Sequence, residues 1–222
     1  MKGKKVMKKG FTLIEMLVVI AIITILIGAS IGGYSKMTKS AERAKAQELV
    51  SNAATALGVY FQQEGVWPKR ILSEGQTDGR LDDKVAYILA KKGLFSLTTQ
   101  SGKLAGLDQF GIISPWARQA VKRAGSGASL STKIPGTQST VQDHILHFAI
   151  DPNGDGIIKG ASVGGASINV RATAIVWCGG KDGVVDPYPY AGGGQQKSGN
   201  SSSSSRLDDI YSWTPGQTKD VD

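Results

Sequence analysis

The sequence predicts an α+β protein: a long amino-terminal helix, half of it transmembrane and half amphipathic, packed on a small antiparallel-sheet head. Three observations predict it. An apolar run from Leu13 to Ile31 follows a lysine-rich start. An apolar stripe at helical spacing carries the helix on to residue 64, and strand-like alternation gathers late in the chain. The boundaries that follow are 1–10 for the basic start, 11–33 for the transmembrane half, 34–64 for the amphipathic half and 65–222 for the head.

The start comes first. The chain has 222 residues, with 26 Lys+Arg against 18 Asp+Glu, a net of +8. Five of the lysines fall within the first nine residues, so the remainder has 21 basic and 18 acidic residues. The charge is a head rather than a face, and no nucleic-acid footprint is expected. The single Cys178 excludes an internal disulfide framework and any multi-cysteine zinc site, and two histidines exclude a three-histidine site. The 29 glycines point to long irregular loops.

The apolar run is interrupted by Glu15 close to its start. As a helix, Leu13–Ile31 rises roughly 28 Å at about 1.5 Å per residue, which matches a hydrocarbon core of about 30 Å. Lysines precede the run and none interrupts it, so the amino end is expected in the cytoplasm and the head across the inner membrane in the periplasm. A carboxylate there needs a cation or a place near the headgroups. Glu15 therefore either meets a positive group on a neighbouring subunit or only marks the helix edge. A cleaved secretory signal is the competing reading, although its apolar stretch would be shorter.

The order KKG-FTLIEMLVVIAI, with Gly10, Phe11, Thr12, Leu13, Ile14 and Glu15 in sequence, resembles the class III leader of type IV prepilins and type II secretion pseudopilins. The resemblance implies that prepilin peptidase cuts between Gly10 and Phe11 and that Phe11 is N-methylated. It implies that Glu15 pairs with the Phe11 amine of a neighbour during assembly of a homo-oligomeric filament. It also implies other pseudopilins or pilins and an inner-membrane assembly platform as partners. Many filament-forming relatives carry a proline about twenty residues after the cut; here Gly28, Gly32 and Gly33 stand in that region.

In the amphipathic half, Val50, Ala53, Ala54, Leu57, Tyr60 and Phe61 recur at three and four, with Gly65 and Pro68 ending the helix. The segment YFQQEGVWP resembles the end of the long helix in major pseudopilins, with Trp67 for the usual tyrosine. Residues 81–95 predict a short helix through Leu81, Val85, Ile88 and Leu89, capped by Gly93. Ser114-Pro115-Trp116 reads as a turn, and residues 121–140, rich in Ser, Gly and Thr, as a loop. A strand is expected through His144–Ile150 and another over Ser167–Cys178. His144 and His147 then point to opposite sides of a strand and make a poor metal pair, so both read as structural.

Two acidic loops are candidate metal sites. Residues 181–213 open on KDG and close on LDDIYSW, which resembles the carboxyl-terminal calcium loop of major type II pseudopilins. The resemblance implies Asp182, Asp208 and Asp209 as calcium ligands, with Ile210 and Trp213 as buried anchors. The insertion 186–205 departs from the shorter family loop. The alternative is that Ile210 and Trp213 pack in the core and the aspartates are solvated. In residues 151–162, DPNGDG places Asp151, Asn153 and Asp155 at alternate positions, where a tight loop aims alternate oxygens at a hard cation. The twelfth position is Ser162 instead of glutamate, so this is either a reduced calcium site or a turn joining two strands.

No phosphate-binding glycine loop and no nucleophile elbow is present, and an enzyme is not expected. The resemblance covers residues 1–68 and 170–213. The expected function is that of a structural subunit of a type II secretion pseudopilus, a periplasmic filament driving protein export. The alternatives are a type IV pilin for adhesion, motility or DNA uptake, in a cell-surface filament, and a membrane-tethered sensor or binding module.

Overall fold

Helix α1 spans Leu13–Glu64, 52 residues without an internal proline. The computed structural model describes residues 11–95, 110–185 and 209–213, the side chains of residues 29–36 excepted. The chain divides into two units, residues 1–41 and 42–222, each described by itself.

In the first unit the large apolar side chains from Phe11 to Ile27 are exposed, Leu13 at 84% and Ile25 at 72%. The sequence led to a transmembrane half and a single-pass location in the inner membrane, and the structure corrects this. Among the described residues no helix is long and apolar enough to cross a membrane.

In the second unit α1 buries Ala46, Val50, Ala53, Ala56, Leu57 and Tyr60, a stripe three and four residues apart. The helix stops where Gly65 turns to φ 70° and its N–H bonds the Phe61 carbonyl at 2.8 Å. The chain then folds back, so that Trp67 stacks on Phe61 with centroids 4.9 Å apart and donates its indole N–H to the Asp151 carbonyl at 2.7 Å. Helix α2 (Lys69–Glu74) and strand β1 (Gly79–Arg80) follow. Helix α3 (Asp83–Lys91) lies within the expected span and is capped by Asp82, which accepts the Val85 N–H at 2.9 Å. Arg70 bridges Glu74 and Asp82, each at 2.6 Å.

Ser114-Pro115-Trp116 is not a turn but the start of helix α4 (Pro115–Ala124). Ser114 is the N-cap and proline takes the first turn, where its missing N–H costs nothing. The Trp116 indole and the Gln119 amide both donate to Glu42, at 3.1 and 3.0 Å, and so dock α4 beside α1. The loop expected over 121–140 therefore begins only after Ala124 and ends in a 3-10 turn, Val141–His144.

The sheet is antiparallel throughout, in the order β1-β2-β5-β6, with β2 (His147–Ile150), β5 (Ala174–Cys178) and β6 (Ile210–Tyr211). Strands β3 (Ile158–Val163) and β4 (Ala166–Val170) form a separate hairpin. The single strand expected over Ser167–Cys178 is two strands. β4 pairs with β3 whereas β5 pairs with β2, and residues 171–173 carry the chain between the two sheets. His144 falls before β2, in the 3-10 turn.

Both faces of the sheet are covered. Phe148, Ile150, Val176, Cys178 and Ile210 join α1, α3 and α4 in the main core. Ala149, Ile175, Trp177 and Trp213 pack with the β3–β4 hairpin in a second one. Among the described residues, the part of the fold reading that stands is α+β, with helices packed on a small antiparallel sheet.

Candidate functional site

The amino-terminal site is built by a capping box. The Thr12 N–H and hydroxyl both donate to the Glu15 carboxylate at 2.7 Å, and the Glu15 N–H approaches the Thr12 hydroxyl at 3.3 Å. Glu15 thus starts α1 as well as presenting a charge. Phe11 stands beside it, 77% exposed, and Gly10 lies outside the described residues. Reading Glu15 alone missed Thr12, although Thr-x-x-Glu ahead of an apolar run is the signature of this cap. A carboxylate, an aromatic first residue of the expected mature chain and an uncovered apolar helix face lie together. That arrangement can pair a cation and bury an apolar partner helix; it holds no nucleophile with an activating base.

The loop 151–156 joins β2 to β3. Asp151 is buried and accepts the N–H groups of Asn153, Gly154 and Gly156 at 3.0, 2.9 and 2.6 Å. Asp155 turns outward to Lys159 at 3.0 Å; that ammonium and the Ile157 N–H hold its carboxyl below the usual range. Asn153 is exposed. The loop also seats on α1: a Cβ on Gly154, whose φ is 74°, would lie 3.3 Å from the Phe61 ring.

In the second loop Asp182 accepts the Val184 N–H at 3.1 Å. Asp209 is buried and accepts the Gly180 N–H at 3.3 Å and the Tyr211 hydroxyl at 3.0 Å. Asp208 lies outside the described residues. Ile210 enters the main core, and Trp213 meets Trp177 edge-on at 6.0 Å in the second. Among the described residues no group of three or more carboxylate, imidazole or thiol side chains could hold a metal ion.

His144 and His147 occupy different settings. His147 bonds Asp78 at 2.6 Å and stacks on Trp177. His144 is fully buried, with Nδ1 at 2.9 Å from the Ser114 hydroxyl and Nε2 at 3.0 Å from that of Ser139. Burial pushes its pKa from 6.5 down to about 4, against the pull of Asp143 and Asp182.

Residues 6–31 match the family model of the prokaryotic N-terminal methylation motif. The chain is similar to the type IV major pilin protein PilE1 of Neisseria gonorrhoeae, 31% identical over 116 residues, covering 51% of this chain and 70% of the relative. It is similar to a fimbrial protein of Neisseria meningitidis serogroup A, 30% identical over 51% of this chain and 68% of the relative. Fimbrial protein EcpC of Eikenella corrodens is 38% identical over 64 residues, 29% of this chain and 42% of the relative. No solved structure matches the chain. Kinship across more than two thirds of a major pilin, with the methylation motif over the start of α1, shows that the chain belongs to the type IV pilin family.

Proposed function

We propose that this chain is a type IV pilin subunit serving a pilus, in adhesion, motility or DNA uptake, rather than a secretion pseudopilus. Its relatives are pilins and fimbrial proteins, structural and non-catalytic, and no enzymatic activity is assigned. The likeness to these relatives favours the pilus, and the single structural observation that carries the filament reading is the amino-terminal site. The apolar side chains from Phe11 through the first turns of α1 to Ile27 are exposed in the isolated chain, and Glu15 sits at their head. Packing such faces against one another removes apolar surface from water at about 25 cal/mol per Å². Cutting between Gly10 and Phe11 creates an amine, and a buried Glu15 needs a cation of that kind. One subunit's Phe11 amine against the next subunit's Glu15 would set the axial step of the filament.

The experiment has two parts. Mass spectrometry of the mature amino terminus should find a chain beginning at methylated Phe11. Glu15→Leu should leave processing intact and remove the subunit from sheared surface filaments. An uncut chain beginning at Met1 as the sole species, or filaments that incorporate Glu15→Leu normally, would overturn the reading. The buried Ile210 and Trp213 support the secretion alternative through their likeness to the pseudopilin closing segment. Loss of export without loss of surface filaments on deleting the gene would favour it.

A further inference from the structure

The geometry points to His144 as an acid-operated latch on the start of α4, separate from the assembly site: protonation at Nδ1 displaces the Ser114 cap and frees the first turn of the helix.

The direction of every hydrogen bond around the ring follows from the hydroxyl hydrogens available. Thr137 donates its hydroxyl hydrogen to the Ile134 carbonyl at 3.0 Å. Its oxygen therefore accepts from Ser139, 2.8 Å away. Ser139 has then used its hydrogen, so its oxygen accepts from His144 Nε2–H. Nδ1 of the neutral ring is left as an acceptor, and Ser114 donates to it. The Ser114 oxygen meanwhile accepts the Ala117 N–H that begins α4. The chain is complete, and each hydroxyl hydrogen is used once.

A proton on Nδ1 reverses one link. Nδ1–H then faces the Ser114 oxygen, and the serine hydrogen has no acceptor in a site where Ser114 and His144 are both fully buried. The imidazolium also faces the positive end of the α4 dipole. The surroundings offer little relief. Of the charged groups, Asp143 on the same 3-10 turn and Asp182 on the turn after β5 favour the proton. From α4 the Trp116 ring lies 6.4 Å away, and the 134–139 segment presents hydroxyls. Gly183 packs on the Nε2 edge, where a Cβ would lie 2.9 Å from the ring nitrogen. Opening the first turn of α4 hydrates the ring and relieves the conflict.

The test is amide hydrogen exchange by mass spectrometry on the full-length chain, corrected for intrinsic rates, at pH 8 and pH 5. With values of 6.5 open and about 4 closed, the open form of 114–124 should gain about 30-fold at pH 5. Helix α3, which lacks such a contact, serves as the internal reference: it shares only the global loss of stability and should rise less than 114–124. His144→Asn, which keeps an acceptor for Ser114, should abolish the pH response, and His147→Asn should preserve it. A flat response in 114–124, or an equal rise in α3, would overturn the proposal even if His144→Asn does not fold. So would a response that persists in a folded His144→Asn.

Discussion

Phe148→Ala is the sharpest probe of the main core. The Phe148 side chain is fully buried and pairs across the sheet with Gly79 on one side and Val176 on the other. Its ring occupies the space that side chains on two glycines would fill. A Cβ on Gly79 would lie 2.7 Å from the ring, and one on Gly75 would also run into it. Truncation typically costs about 3–5 kcal/mol, depending on how well the neighbours collapse. Glycines have nothing to swing into the void, so the cost should fall at the upper end, about 4–5 kcal/mol. For a unit of this size that lowers Tm by roughly 10–20 °C. Trp67, Trp116, Trp177 and Trp213 are the four tryptophans, all within residues 42–222, so tryptophan fluorescence during urea or thermal unfolding of the full chain reads this unit alone. Gly79→Ala should be less harmful in the Phe148→Ala background than in the wild type, by about 1 kcal/mol. The relief is partial because the same Cβ would lie 2.6 Å from the Glu74 carbonyl. A loss under about 1.5 kcal/mol for Phe148→Ala, far below the usual range, or strict additivity of the pair, would refute the seating of the ring on the glycines.

Other outcomes follow from single contacts. His144 is neutral and buried when folded, and its pKa is depressed from 6.5 to about 4. Its contribution is fully present above pH 6.5 and is lost as pH falls toward 4, at about 1.4 kcal/mol per unit and roughly 3 kcal/mol in all; urea midpoints measured from pH 8 to pH 4 should show this slope, and His144→Asn should flatten it. Asp82→Ala removes the α3 cap and the Arg70 partner and should cost about 1–2 kcal/mol. Asp82→Asn keeps the cap and should cost under about 1 kcal/mol, because the pair with Arg70 is partly exposed; denaturant titration separates the two. Gly183→Ala places a Cβ at φ 72° and 2.9 Å from His144 Nε2, and should cost about 2–4 kcal/mol by the same titration.

The sequence disclosed what has a period or a fixed spacing. The α1 stripe from Val50 to Tyr60, the α3 face of Val85 and Leu89, and the Gly10–Glu15 motif are local patterns, and each was legible. The α4 start was misread because Ser-Pro serves equally as a turn and as a cap with proline in the first helical turn. Its helix buries three apolar residues, Trp116, Ala117 and Ala120, of which only the tryptophan is large, and Arg118, Lys122 and Arg123 charge the rest. The break at residues 171–173 was invisible because β4 and β5 are both rich in β-formers, and only the choice of partner separates them. The buried role of His144 depends on Ser114, thirty residues away, and no local pattern carries it. The expectation of a membrane span failed on length and apolarity among the described residues.

The sheet covered on both faces has a consequence for pairing register. In a sheet with one wet face, a slip by one residue would expose the apolar set, and water would forbid it. Here both sets of β5 residues are covered, Ala174 alone only in part, so hydrophobicity cannot tell the two registers apart. Size can. Ala174, Val176 and Cys178 face the helices, whereas Ile175 and Trp177 face the hairpin. A slipped β5 would drive an indole under α1 and leave a thiol and a methyl opposite Trp213. Bulk, in place of polarity, keeps this strand in register.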